Sequence, residues 1–284
     1  MDRVKLSNWL QYALVGTSND NRYRHSLLKE DLNQRDEIIE ELKQYIQDAH
    51  EDARYHLREL AGYSLDPFEE NIAGDPSQGY PESLHITTLK GYFGETFAAI
   101  IAQHFFPFEV NNWEVPAFLF RFHIVELQHL EAINQVGGEV KPRPGRTGDD
   151  FLAFQRDSNG KIVRVLYCEA KCTAGHDDGM IAKAYKKTSE SPIVDFLRII
   201  EVLKGKSGPS AEQWIDAIRR ARGNAQYERY DLISYVCGQH PKRNSVWLPT
   251  DKPHESYEAE RRLEAVETHL YDIETLIREI YSSE

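Results

Sequence analysis

Apolar residues recur every three or four positions over residues 35–60, and acidic residues fill the gaps between them. This spacing predicts an amphipathic α-helix. The stretch GYFGETFAAIIAQHFF, residues 91–106, predicts a second helix with one large apolar face and one face of small alanines that includes Glu95. The same spacing predicts three further helices, over residues 180–191, 193–204 and 210–222.

Short apolar runs predict a small group of strands. Residues 149–154 (DDFLAF) and 161–172 form two such runs, and the RDSNG sequence between them has the composition of a hairpin turn. A Pro-, Gly- and Ser-rich loop is predicted over residues 64–83. The remaining predicted elements are strands over residues 115–125 and 229–239 and a short helix over residues 125–136.

Residues 255–281 carry apolar positions that alternate spacings of three and four, which predicts one long terminal helix. That helix would pack on the chain's own core or on the 35–60 helix, or it would dock on a partner or a second copy. The expected fold class is α/β, with a short mixed sheet flanked by helices. The expected division is a helical N-terminal extension (1–83), a core (84–250) and a C-terminal helix (251–284).

The net charge of −12 is concentrated in two segments. Residues 29–70 carry a net charge of −8 and residues 251–284 carry −6, so the rest of the chain sums to +2. Residues 139–187 carry +3. Proteins that bind nucleic acid unaided usually have a strong basic excess. If this chain acts on nucleic acid, we therefore expect a partner protein to deliver the substrate.

The composition favours a cytoplasmic protein with a packed core. No apolar run reaches the roughly 20 residues of a membrane span, and we expect no signal peptide. The three cysteines, Cys168, Cys172 and Cys237, are too few for a disulfide framework. Cys168 and Cys172 have no second pair to complete a zinc site, so buried thiols in a reducing compartment are the simpler interpretation.

The sequence VLYCEAKC places two charges, Glu169 and Lys171, at the end of an apolar strand and on the same face. The hairpin brings Asp150 toward the same end of the sheet. Crowded carboxylates repel one another unless a raised pKa or a bound cation compensates. Carboxylate and carbonyl oxygens suit Mg²⁺, or Mn²⁺ in its place. The predicted ligands are Asp150, Glu169 and the Ala170 carbonyl, with Asp149 as the alternative aspartate.

These stretches resemble the PD-(D/E)XK nuclease superfamily. GETFAAIIAQHF matches its first core helix, GDDFLAF the strand with the first metal acid, and VLYCEAK the E-x-K strand, over roughly a third of the chain. The resemblance implies a restriction-endonuclease-like core with Asp150 and Glu169 as metal ligands. It also implies Lys171 as the catalytic lysine, which assists the attacking water, and Glu95 as an auxiliary acid.

Two groups of basic residues flank these motifs and are candidates for contacts with phosphates. The alternative for each basic group is an ordinary solvated surface. For Glu169 and Lys171, the alternative to a catalytic role is a simple ion pair. His176, Asp177 and Asp178 follow the E-x-K strand and would either hold a second metal or cap the next helix. The candidate phosphate contacts are Lys141, Arg143 and Arg146 before the first strand and Lys183, Lys186 and Lys187 after the second.

The order of the nuclease-like core, the later helices and the YDLISYV strand also resembles the HamA nuclease subunits of Hachiman antiphage systems, which work with a helicase. The resulting hypothesis is a Mg²⁺-dependent DNA endonuclease in a bacterial defence complex with a helicase partner. One alternative is a catalytically silent member of the fold that binds and regulates a nucleic-acid-processing partner. Two others are a glycosidase that uses Asp150 and Glu169 and a helical interaction scaffold.

Overall fold

The computed structural model describes residues 1–63, 74–122, 151–191, 196–206, 208–224, 226–242 and 245–282. Within these ranges the chain forms six strands and seven α-helices. The strands are β1 (Leu10–Thr17), β2 (Tyr23–Glu30), β3 (Phe151–Arg156), β4 (Ile162–Thr173), β5 (Glu228–Cys237) and β6 (Arg262–His269). The helices are α1 (Arg3–Trp9), α2 (Ile39–Leu60), α3 (Ile86–Phe105), α4 (Asp178–Glu190), α5 (Phe196–Lys204), α6 (Pro209–Asn224) and α7 (Ile273–Ile280).

The six strands form one mixed sheet in the order β1-β2-β6-β5-β4-β3. Strands β2, β6, β5 and β4 run parallel, and the two outer strands β1 and β3 run antiparallel to their neighbours. The expected α/β class with a mixed sheet is therefore confirmed. The carboxyl ends of four parallel strands meet at one edge of the sheet.

Helices cover both faces of the sheet, so the molecule has three layers. Helices α1, α2, α3 and α7 pack on one face with side chains such as Cys168 and Ala170 of β4. Helices α5 and α6 cover part of the opposite face, where Val165 and Tyr167 lie. Helix α4 covers the rest of that face, over Ile233 of β5. Within the described part of the chain, no helix combines the length and hydropathy that a bilayer crossing requires.

The most local predictions are confirmed. Helices α2 and α3 fall where the spacing of apolar residues predicted them, and α4, α5 and α6 occupy the later predicted helices. Strands β3 and β4 form the predicted antiparallel hairpin, and β5 is the predicted YDLISYV strand. Gly160 has a φ of 76° in the hairpin turn, a conformation that glycine adopts without strain.

The predicted helix over residues 255–281 is wrong. Its first half forms β6, which lies between β2 and β5 in the middle of the sheet. Its second half forms the short helix α7 after Asp272, whose φ is 43°. Leu263 packs on one face of the sheet and Val266 on the other. Because β6 is buried on both faces, its apolar residues show no alternation, and the three-residue spacing of Leu263 and Val266 imitated a helix.

Two other predictions need correction. The segment 1–83 is not purely helical, because β1 and β2 pair with each other and β2 joins the central sheet through β6. The strand predicted over residues 115–125 is wrong for its described part, residues 115–122. The chain makes an isolated bridge from Glu114, just before this segment, to Phe154, and within the segment it forms a short 3-10 turn at Phe120–Phe122. The helix predicted over residues 125–136 lies outside the described residues.

Buried carboxylates fasten surface loops to the sheet, and Glu267 of β6 is the clearest case. It accepts hydrogen bonds from the N–H groups of Trp247 at 2.9 Å and Leu248 at 2.8 Å. His269 Nε2 lies 2.5 Å from one carboxylate oxygen and His25 Nε2 lies 3.4 Å from the other. Burial raises the pKa of Glu267, but the contacts with these two histidines and two N–H groups outweigh it and lower the pKa to about 2.

This depressed pKa predicts a pH-dependent contribution to stability. The Glu267 pKa falls from 4.5 to about 2 on folding. Its stabilisation is therefore complete above about pH 4.5 and is lost as the pH falls toward 2. We expect Glu267→Gln to lower the free energy of unfolding by about 3 kcal/mol at pH 7 and by about half as much at pH 3. Urea unfolding at both pH values measures this difference.

The exposed Glu255 supplies the control, since Glu255→Gln should change stability by less than about 0.5 kcal/mol at either pH. An equal loss at pH 7 and pH 3 in Glu267→Gln would show that the carboxylate charge does not fasten the loop.

Candidate active site

Glu169 and Lys171 lie near the carboxyl end of strand β4. Within the described residues, the β3–β4 ladder runs to the pair Phe151 and Cys168, and the ladder to β5 continues to Thr173. The charged tripeptide thus lies close to the carboxyl end of a parallel strand, where α/β sheets commonly bind ligands.

The Glu169 carboxylate is buried, with a side-chain exposure of 0%, and two lysines reach it. The Lys171 ammonium contacts Oε1, and Lys187 Nζ lies 2.6 Å from Oε2. Lys171 Nζ also donates to the Ala170 carbonyl at 3.0 Å. The carboxylate and the carbonyl that the sequence predicted as oxygen ligands thus lie beside the same ammonium. Positive charge at this point compensates for removing the carboxylate from water.

Helix α4 brings Lys187 to the site. Asp177 caps the helix by accepting from the Met180 N–H at 2.9 Å, so the capping alternative for Asp177 is confirmed. Ile181 and Tyr185 of α4 are buried against the sheet, and Lys187 lies beside that buried face. Lys183 and Lys186 are exposed, and Lys186 Nζ lies 3.7 Å from Glu190. A role of these three lysines in nucleic-acid binding stays a prediction.

Glu95 lies on the opposite side of the sheet from this pair. It is buried on α3, which packs on the face of Cys168 and Ala170, while Glu169 and Lys171 point to the other face. Gly94 allows the close approach of α3, because a Cβ there would lie 3.0 Å from the Cβ of Cys172. The role of Glu95 as an auxiliary acid stays a prediction.

Five predicted site residues lie outside the described residues: Asp149, Asp150, Lys141, Arg143 and Arg146.

Within the described ranges, no group of three or more His, Cys, Asp and Glu side chains has the geometry of a metal site. The described oxygen donors near the carboxyl end of β4 are the Glu169 carboxylate and the Ala170 carbonyl. Hard oxygen donors of this kind fit Mg²⁺ or Mn²⁺ and not a soft metal. Cys168 and Cys237 are buried and form no disulfide, and burial raises the pKa of the Cys172 thiol.

The sequence-based prediction missed an aromatic group beside the site. Tyr235 of β5 pairs in register with Lys171. Its hydroxyl lies 3.4 Å from His176 Nδ1, and the His176 ring stacks on Trp247 with centroids 3.8 Å apart. Parallel pairing of β5 with β4, had it been predicted, would have placed Tyr235 here.

No protein-family model matches this sequence, and a search of curated proteins finds no significant match. The function is therefore inferred from the residues and contacts described above.

The Lys187–Glu169 contact predicts unequal effects of two neighbouring substitutions on α4. We expect Lys187→Met to lower the free energy of unfolding by about 1–3 kcal/mol, because a buried carboxylate loses one compensating charge. Lys186→Met removes only an exposed pair and should change it by less than about 0.5 kcal/mol. Chemical denaturation at pH 7 measures both. Equal effects would show that Lys187 contributes no more than a surface lysine.

Proposed function

We propose that this protein is a metal-dependent DNA endonuclease of the PD-(D/E)XK type. The observation that carries the proposal is the buried Glu169 carboxylate near the carboxyl end of β4, with the Lys171 ammonium bound to it from the same face. A carboxylate and a lysine two residues apart at the end of a buried strand have the spacing of the E-x-K motif. The PD-(D/E)XK resemblance supplies the reaction class.

The order of elements around Glu169 supports the same proposal. Helix α3 is followed by the β3–β4 hairpin, then by the lysine-bearing helix α4, and then by the parallel strand β5. This is the order in which the resembling motifs were assigned: core helix, strand with the metal acid, E-x-K strand and basic helix.

The partners of Glu169 differ from those of other buried acids in a way that suits a cation site. Asp231 is held by the guanidinium groups of Arg229 and Arg261, at 2.9 and 2.8 Å. Glu169 is instead reached by two lysines whose side chains are 23% and 36% exposed. A lysine ammonium is a mobile point charge, whereas arginine is a rigid fork. In the proposed site, a metal ion would replace one of these mobile ammonium groups at the carboxylate.

In the proposed reaction, Mg²⁺ supplies Lewis-acid stabilisation of the phosphate. Glu169 and the Ala170 carbonyl would hold it, and the proposal requires the carboxylate of Asp150 or Asp149 as a further ligand. Lys171 would orient the attacking water and stabilise negative charge that develops on the phosphate. Lys187 would leave Glu169 Oε2 when the cation binds.

The net charge of −12 favours action with a partner, because an acidic surface repels nucleic acid. We propose a helicase partner in a bacterial defence complex, in the cytoplasm, as the HamA resemblance implies.

One observation favours a second candidate, a catalytically silent regulator: both Glu169 oxygens already contact ammonium groups. In that case the lysines and Glu169 form a permanent ion-pair cluster.

Nicking of supercoiled plasmid tests the proposed activity. We expect the protein, alone or with the protein encoded next to it, to nick DNA with Mg²⁺ and not with EDTA. Lys171→Met and Glu169→Gln should each lower the nicking rate at least about 100-fold, because each removes a group that stabilises the transition state. Their melting temperatures show whether each variant is folded.

The matched control is Lys43→Met, which breaks a Lys–Glu pair on α2 with an N–O distance of 3.0 Å, far along the chain from the site. It should nick at the wild-type rate. Absence of nicking under every condition, together with no binding of Mn²⁺, would favour the silent regulator. Full activity in folded Lys171→Met would exclude the E-x-K mechanism.

A further inference from the structure

A row of rings extends from Lys171 along the carboxyl ends of the parallel strands. Tyr235 is the register neighbour of Lys171, and its hydroxyl accepts a hydrogen bond from the Asp177 N–H at 3.1 Å. His176 lies 3.4 Å from the same hydroxyl. Trp247 stacks on His176 with an interplanar angle of 13°. Each ring contacts the next, so Trp247 lies two contacts beyond Tyr235.

Trp247 is held by its backbone while its ring remains partly exposed. Its N–H donates to Glu267, and its indole N–H donates to the Gln239 carbonyl at 3.5 Å. The Gln239 side chain in turn accepts from the His176 N–H at 3.0 Å. Asp178 Oδ1 lies 2.9 Å from His176 Nε2 and orients that ring. These hydrogen bonds hold both rings in place while each ring residue stays partly exposed, the combination that a stacking surface for a flat ligand requires.

Trp247 also differs from the other tryptophans. Trp9, Trp113 and Trp214 are buried, with exposures of 0%, 2% and 6%. Those three serve the core, whereas Trp247 is only partly buried and packs against the cluster that contains Tyr235 and Leu248. A large ring that packs on the core and keeps part of its surface exposed can stack on a flat ligand.

A second stack continues the row on the same loop. His240, next to Gln239, stacks on Tyr271 with centroids 4.0 Å apart. The Tyr271 side chain is 43% exposed, and its backbone N–H is fixed to Glu30 at 2.6 Å. Lys242 of the same loop is exposed. The surface therefore offers two successive ring platforms and a cation, which matches the way single strands are bound by stacked bases and neutralised phosphates.

We propose that the His176–Trp247 stack binds an unpaired nucleobase of the substrate strand, next to the phosphate that is cut, and that His240–Tyr271 receives a further base. This inference rests on the proposed function and makes it more specific, because it predicts a single-stranded or locally opened DNA substrate. Bases inside a duplex are stacked on each other and cannot reach these rings. The proposed helicase partner would supply strands of this kind.

Intrinsic fluorescence offers a selective test, because three of the four tryptophans are buried and Trp247 is partly exposed. We expect a 12-nucleotide oligo-dT, added in EDTA to prevent cutting, to quench emission from the wild type and to leave Trp247→Phe unquenched. By anisotropy of a labelled oligo-dT, Trp247→Leu should bind about tenfold more weakly. Trp247→Phe, which keeps a ring, should lose less affinity. A duplex of equal length should bind more weakly than the single strand.

Two controls separate the possible outcomes. Tyr55→Leu replaces an exposed ring on α2, 38% exposed, and should leave affinity unchanged. An abasic oligomer carries the same backbone charge without bases and should not quench Trp247. Quenching by the abasic chain, or unchanged affinity in Trp247→Leu, would overturn base stacking. Loss of binding to a protein partner in Trp247→Leu with unchanged DNA affinity would instead assign the rings to a protein interface.

Failure of this inference and failure of the nuclease proposal give different results. Lys171→Met should quench like the wild type, because it removes a group proposed for cutting and not for stacking. If oligo-dT quenches Trp247 in EDTA but the protein cuts no DNA with Mg²⁺, the base-binding surface stands and the nuclease proposal fails. If Trp247→Leu cuts both single strands and duplex at the wild-type rate, the nuclease proposal stands and the base-binding surface fails.

Discussion

A carboxylate that is removed from water must be matched by positive charge, and the candidate site depends on how the fold meets this requirement at Glu169. Strand β4 carries Glu169 into the protein interior, near the carboxyl end of the strand. Two lysines, from β4 itself and from α4, supply the compensating charge. In the proposed function, a divalent cation replaces one of these ammonium groups.

The same requirement shapes the surrounding structure, but with different partners. Glu267 accepts N–H groups of the Trp247 loop, and Glu264 accepts the Phe108 N–H at 2.5 Å and the Ser26 hydroxyl at 2.7 Å. These acids hold loops in fixed positions on the sheet. The loop fastened by Glu267 is the one that presents Trp247 beside His176. Glu267 thus fixes the position of Trp247, whereas the described partners of Glu169 are two lysine ammonium groups.

The parts of the fold that the sequence predicted correctly depend on neighbours along the chain. Helices α2 and α3 follow from apolar spacing, and the β3–β4 hairpin follows from its turn. Strand β6 could not be recognised, because it is buried on both faces and its acids are satisfied by distant segments. At the site, strand alternation correctly put Glu169 and Lys171 on one face. The Lys187 contact and the position of Tyr235 depend on how α4 and β5 pack, which no local pattern specifies.

The central claim is that Glu169 is a cation ligand and not one member of a permanent ion-pair cluster. Anomalous scattering from crystals grown with Mn²⁺ tests this claim most directly. The account predicts a manganese peak bonded to a Glu169 carboxylate oxygen, with Lys187 Nζ displaced from its 2.6 Å contact with Oε2. Absence of any peak at Glu169, with both lysines still bound to the carboxylate at saturating Mn²⁺, would contradict it.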